Sequence, residues 1–187
     1  MSEDAEDMVR VQGGDEAALG ALMGRWELPV KRLLGRIVQN AAEAEELAEE
    51  TFVRVWQQRA RFRPGVEFRP WLFAIAVNLA RNRLRWWRRR PQVSLEAWHE
   101  PAAAGAAAGP EPGKTGGEMI EAQERAEAVR RAVAALPRDQ REALVLFEYE
   151  ELSHAEIAAA VGGTPKAVEA RLYRARASLR IALRRWC

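Results

Sequence analysis

Leu152–Arg176 reads LSHAEIAAAVGGTPKAVEARLYRAR. Ser153 stands where a side chain can cap the first N–H groups of a helix, and Glu156, three residues on, is its capping-box partner. Leu152 and Ile157 occupy the two positions of a hydrophobic staple. Gly162-Gly163 ends the short helix, because glycine accepts the left-handed backbone needed there. Thr164 then caps a second helix and Pro165 fills its first position. A short helix, a glycine turn and a capped second helix form a helix-turn-helix pattern. Val168, Leu172, Ala175 and Leu179 make one apolar stripe of the second helix, while Lys166, Glu169, Ala170, Tyr173 and Arg174 face away, flanked by Arg171 and Arg176. The second helix of such a unit enters the major groove by its N-terminal part. Lys166, Glu169 and Ala170 are therefore the base-edge candidates, and Arg171, Arg174 and Arg176 the phosphate candidates. The competing reading is an ordinary antiparallel helix pair with a basic surface; turn, caps and basic helix together favour DNA.

Outside this unit the chain also reads helical. Ala, Leu, Glu and Arg dominate, and period-two runs of β-branched residues are absent. The periodicity predicts helices over 15–25, 26–39, 41–61, 68–89, 118–135, 138–150, 153–161 and 165–184. Residues 91–117 are rich in Ala, Gly and Pro and bury too little apolar surface to offset their ordering entropy. They read as a flexible linker between two small domains, 1–90 and 118–187, so the expected fold is all-α, with the helix-turn-helix in the C-terminal domain.

The net charge of +2 conceals strong polarity along the chain. Arg69–Arg90 carries seven arginines and no acid, Pro165–Cys187 carries seven basic residues against Glu169, and Ala41–Glu50 carries five glutamates and no base. Two segments suit a polyanion, and the third suits a basic protein surface. In the first basic segment Pro70 fits an opening helical turn. Leu72, Ile75, Leu79 and Trp86 share a side expected to be core, whereas Asn78, Arg81, Arg85 and Arg88 share another. Guanidinium groups neutralise phosphates, a carboxamide reads a base edge, and the rings of Trp71, Trp86 and Trp87 can stack on unpaired bases. The plainer alternative is a solvated basic face over core tryptophans. The glutamate run can be a solubilising helix start, or a dock for a basic partner with apolar anchors beside it.

Enzyme chemistry finds no foothold. The histidines are His99, in the expected linker, and His154, and the lone cysteine is Cys187. There is no nucleophile–base pair, phosphate-binding glycine loop, disulfide framework or cysteine-based metal site, so no catalytic residue, metal or cofactor is expected. No apolar run reaches the ~20 residues of a membrane span, and the acidic start, Met1–Asp7, is unlike a secretory signal. A cytoplasmic protein is expected.

Three motifs in order resemble a known family. Glu43–Trp56 (EAEELAEETFVRVW) resembles the core-polymerase-binding signature of bacterial sigma factors, and Phe68–Asn78 (FRPWLFAIAVN) their −10-recognising segment. Leu136–Glu142, Tyr149–Ser153, Glu156–Ala158, Val168 and Arg171–Arg176 resemble their −35-recognising domain. The small size is similar to the extracytoplasmic-function group. The resemblance implies a factor that binds core RNA polymerase, through the β′ coiled coil and the β flap, and directs promoter-specific initiation under control of an anti-sigma factor. It implies polymerase binding by Glu45, Glu46, Glu49, Glu50, Phe52, Val53 and Trp56. It implies −10 DNA binding by Arg63, Arg69, Trp71, Asn78, Arg81, Arg85 and Arg88, with a flipped base captured by the loop near 62–69. It implies −35 binding by Thr164, Lys166, Glu169, Ala170, Arg171, Tyr173, Arg174 and Arg176. The chain departs from the family pattern at Glu49 (usually glutamine), Val77 (commonly arginine), Asn82 (commonly aspartate) and Glu169 (frequently basic), which bears on promoter sequence and not on class. A polymerase-independent helix-turn-helix repressor would leave the acidic and aromatic motifs without a role, and a polymerase-binding antagonist would leave the basic helices without one.

Overall fold

A computed structural model describes residues 2–63, 65–89 and 116–186. Those residues form eight α-helices: α1 Glu3–Gln12, α2 Glu16–Val38, α3 Ala41–Gln58, α4 Phe68–Arg89, α5 Gly116–Ala134, α6 Arg138–Glu148, α7 His154–Val161 and α8 Pro165–Ala182. Short 3-10 turns follow α3 at Arg59–Arg61 and α8 at Arg184–Trp186. The all-α expectation holds, with no strand among the described residues. The linker expected over 91–117 lies outside them except for Gly116 and Gly117, which open α5, and Arg90, His99 and Cys187 lie outside them too.

Two expectations need correction. Helices expected over 15–25 and 26–39 are one continuous helix, α2, which carries Pro29 inside it. Pro29 removes one backbone donor, but burial of Ala18, Leu22, Val30, Leu33, Leu34 and Ile37 along the same helix outweighs that local cost. Asp15 caps its start and Gln39, in the left-handed region at φ 59°, ends it. The acidic N-terminal segment, assigned no helix, forms α1. Glu3, Asp4 and Glu6 suit a helix start, and Ala5, Met8 and Val11 repeat every three residues as a buried stripe. Arg25 ties α1 to α2 by pairing with Glu3, Asp4 and the largely buried Asp7.

α2, α3 and α4 pack around Leu33, Leu34, Leu47, Val55, Leu72 and Ala76. An aromatic cluster of Trp26, Phe62, Phe68, Trp71 and Phe73 closes one end with edge-on contacts at centroid distances of 5.3–6.2 Å. α6, α7 and α8 enclose Leu144, Leu146, Leu152, Ile157, Val168 and Leu172. These two groups share one apolar cluster, because α7 lies on α4 and α6 lies on α2.

Candidate nucleic-acid and polymerase interface

The helix-turn-helix forms as its sequence dictates. Ser153 Oγ accepts from the Glu156 N–H at 3.2 Å, and the Glu156 carboxylate accepts from the Ser153 N–H at 2.8 Å. The Ser153 hydroxyl and N–H hold the Glu156 carboxyl below its ordinary pKa. Gly162 and Gly163 take φ values of 79° and 116°, conformations that L side chains rarely adopt. Thr164 accepts from the Ala167 N–H at 3.2 Å and Pro165 opens α8. Val168, Leu172 and Ala175 are buried, which turns Thr164, Lys166, Glu169, Tyr173, Arg174 and Arg176 to the surface and leaves Ala170 and Arg171 half-buried. Arg171 reaches back to the Gly162 carbonyl and toward Asp139, and Arg176 pairs with Glu148 at 2.7 Å. A cleft on this surface is lined by His154, Glu169, Tyr173, Arg176 and Arg180. His154 enters it because its ring lies against Phe147, 5.3 Å between centroids; no residue of the sequence motif marked that contact.

α4 divides its arginines. Asn78, Arg85 and Arg88 are exposed, as is Arg63 in the preceding loop. Arg69 and Arg81, both expected to bind −10 DNA, are half-buried and bonded to the C-terminal helices: Arg69 donates to the Glu150 carbonyl at 2.5 Å, and Arg81 to the Glu142 carboxylate and the Val161 carbonyl. Trp71 is half-buried edge-on to Phe62 at 5.3 Å. Trp86, expected in the core, is 42% exposed and lines an open groove between α3 and α4, with Glu43, Leu47, Glu50, Arg54, Leu79 and Trp87 around it. The stripe expectation fails there because α4 faces α3 across this open groove, bordered by Glu43, Glu50 and Arg54, and not across packed apolar side chains.

On α3, Glu45, Glu46, Glu49 and Val53 are exposed and Glu50 and Trp56 half-buried. Phe52, offered as a surface anchor, is 2% exposed and belongs to the core beside Ala48 and Val55. The i, i+3, i+4 rhythm that aligns Val53 with Glu45 and Glu49 turns Phe52 inward. The acids are partly answered from within the chain: Lys31 bridges Glu27 and Glu45, whose carboxylates push its pKa up to about 12. Arg83 pairs with Glu43 and Glu46, and Glu50 with Arg54. Burial pushes Glu43 above its ordinary value against the pull of Arg83. Among the described residues no group of three or more potential ligands could hold a metal ion, and no helix is long and apolar enough to cross a membrane.

The sigma-70 region 2 family model matches residues 22–90, covering α3 and α4, and the sigma-70 region 4 model matches 126–179, covering the helix-turn-helix. The RNA polymerase sigma-H factor of Pseudomonas aeruginosa is 33% identical over 97% of this chain and 94% of its own. The RNA polymerase sigma factor CarQ of Myxococcus xanthus is 36% identical over 92% of this chain and 93% of its own. The ECF RNA polymerase sigma-E factor of Escherichia coli K12 is 31% identical over 96% and 95%. The chain belongs to the extracytoplasmic-function sigma factors of the sigma-70 family. RfaY of Xanthomonas campestris, a longer relative, is 33% identical over 93% of this sigma factor and 42% of its own length. Among solved structures, the sigma factor RpoE of Bartonella quintana, in complex with the anti-sigma factor NepR, superposes with a TM-score of 0.67 at 26% identity, covering 84% of this chain and 92% of that one. CnrH, in complex with the cytosolic domain of CnrY, gives a TM-score of 0.70 with all of both chains covered.

In this sigma factor the residues expected at the −35 element form the most completely exposed set, while those expected at the −10 element and at the polymerase are each divided between exposed and occupied residues. Sequence reasoning missed Gln12, whose side-chain amide donates to the carbonyls of Arg59 (3.0 Å) and Phe62 (2.7 Å) and so fixes the turn that leads into the 62–68 loop. The signal was the Ala5–Met8–Val11 stripe, which turns Gln12 toward α3's end.

Proposed function

We propose that this sigma factor docks on core RNA polymerase through the exposed strip Glu45, Glu46, Glu49 and Val53 of α3. It reads and opens the −10 element with Arg63, Asn78, Arg85 and Arg88, joined by Arg69, Trp71 and Arg81 once they are released. It reads the −35 element with the outer face of α8. Residues 1–90 and 118–187 act as the two binding units, and their linkage through 91–117 makes the second DNA contact effectively intramolecular once the first has formed. The observation that carries this reading is the grouping of charge by element: exposed carboxylates Glu45, Glu46 and Glu49 on α3, met from α4 by Arg83, and exposed arginines Arg85 and Arg88 on α4 and Arg174 and Arg176 on α8. The factor works in the cytoplasm and performs no catalysis of its own. The solved relative RpoE, in complex with the anti-sigma factor NepR, supports an anti-sigma factor as its antagonist.

Transcription from a genomic fragment library with purified core polymerase, reading RNA 5′ ends with and without this protein, tests it. New starts sharing two upstream motifs are the expected result; no new starts with an active core would favour a repressor. Replacing Arg85 and Arg88 by alanine should lower promoter opening by about tenfold or more, as loss of phosphate contacts implies, and leave polymerase binding intact. Lysine at Glu45, Glu46 and Glu49 should abolish core association first. Equal loss of both properties in both variants would refute the separation of surfaces.

A further inference from the structure

Glu169 is the one acid of α8, a helix that also carries Lys166, Arg171, Arg174, Arg176 and Arg180. Its side chain is exposed, and its carboxylate has neither an ion-pair nor a hydrogen-bond partner among the described residues. The cations around it are turned elsewhere. Arg176 donates to the Glu148 carboxylate at 2.7 and 3.2 Å and lies over the Phe147 ring at 5.1 Å. Arg171 reaches the Gly162 carbonyl at 3.4 Å and lies 3.6 Å from Asp139. Lys166, three residues earlier on the same face, leaves Glu169 unpaired. The neighbouring acids are answered, Glu148 by Arg176 and Glu156 by the Ser153 N–H and hydroxyl. Glu169 therefore stands as a free acceptor in the cleft of about 260 Å³ that it lines with His154, Tyr173, Arg176, Ala177 and Arg180.

An ionised carboxylate only accepts hydrogen bonds. Facing phosphates it repels, and it gains only where it meets a donor. The N-terminal part of such a helix is the part that enters the major groove, and Glu169 lies there, one turn beyond the Thr164 cap and Pro165. The donors on that groove's floor are the N4 amine of cytosine and the N6 amine of adenine, while guanine and thymine present acceptors. Adenine sets its N7 acceptor beside the amine, against the second carboxylate oxygen, whereas cytosine sets a C–H there. We infer that Glu169 sets specificity within the −35 element: its carboxylate accepts from the N4 amine of one cytosine and disfavours the other bases at that position. The inference rests on the reading of α8 as the −35 helix.

The test presents holoenzyme, assembled from core polymerase and the full chain, with duplex DNA of random sequence and sequences the duplexes retained. Parent, Glu169→Ala, Glu169→Gln and Arg174→Ala are compared, with circular dichroism checking that each is folded. The parent should retain an upstream motif in which cytosine is favoured at one position by about tenfold. Glu169→Ala should bring the four bases at that position to within about twofold of one another and leave the rest of the motif as it was. Glu169→Gln should move the preference to adenine, whose N6 and N7 a carboxamide pairs in bidentate fashion. Arg174→Ala, at a phosphate candidate, should instead weaken retention of all sequences alike. A motif that keeps every base preference in Glu169→Ala would overturn the inference. So would a uniform gain for all duplexes, the mark of a solvated acid that only repels phosphates. Absence of any upstream motif from the parent's retained DNA would overturn the reading of α8 itself, so the two failures are separable.

Discussion

Glu150 sits between α2, α4 and the α6–α7 turn with Arg36 and Arg69 nearby, yet burial dominates and pushes its pKa from 4.5 up to about 7. A carboxyl whose pKa is raised by folding favours the packed state when protonated. That contribution is fully present below about 4.5 and is lost as pH rises through about 7. The protein should therefore be less stable at pH 8 than at pH 6, with a difference from this group on the order of 1 kcal/mol. Glu150→Gln, neutral throughout, should flatten that part of the Tm profile; parallel profiles for parent and variant would rule the group out. Phe52 and Val53 give a second contrast. Phe52→Ala opens the core and should cost about 3–5 kcal/mol, seen in urea unfolding, whereas Val53→Asp should leave the unfolding midpoint nearly unchanged and weaken core polymerase binding. Side-chain roles were only partly legible in the chain at this scale. Helical periodicity marks a face, but it cannot say which arginine of that face meets a neighbour 60 to 80 residues away, as Arg81 does.

At the scale of elements, capping chemistry and turn glycines were readable because their partners lie within four residues. This holds for the Ser153–Glu156 box, the Thr164 cap and the start of α8 at Pro165. Replacing Gly163 by alanine forces a side chain into φ 116°. The strain should destabilise the helix-turn-helix by roughly 1–3 kcal/mol and lower −35 affinity, checked by thermal unfolding and promoter binding. Long-range supports were not readable. α1 was passed over because four of its first five residues are acids, and its stripe gains meaning only from the groove that receives it. The break expected between residues 25 and 26 is overridden by the packing of α2, which runs on through Pro29. Gln12 belongs to the same class. Its replacement by alanine should leave two carbonyls short of a donor, cost about 1 kcal/mol, and speed amide exchange across residues 62–68 before any effect on α8 is seen.

For the whole molecule, fold class and the order of motifs were plain in the sequence, because composition and periodicity set them. The closed arrangement of α4 against α7 was not, since charge patterning alone suggested that the basic face of α4 stays open. Closure across one continuous apolar cluster predicts a single unfolding transition, with tryptophan fluorescence from α2–α4 and far-UV ellipticity tracing the same curve. Glu142→Gln should pull the two probes apart. The acceptors at this interface carry one more consequence. Arg69, Arg81 and Arg141 each spend a donor on a main-chain oxygen of the opposite half, and every amino acid supplies that oxygen. Substitutions at Glu150, Val161 or Ile37 leave those bonds chemically possible, so no compensating change need arise across the interface when these residues drift. Correlated variation among relatives would then register the joint at Arg81–Glu142 and Arg36–Glu150 and pass over the rest, leaving a conserved conformation with almost no paired mutational trace.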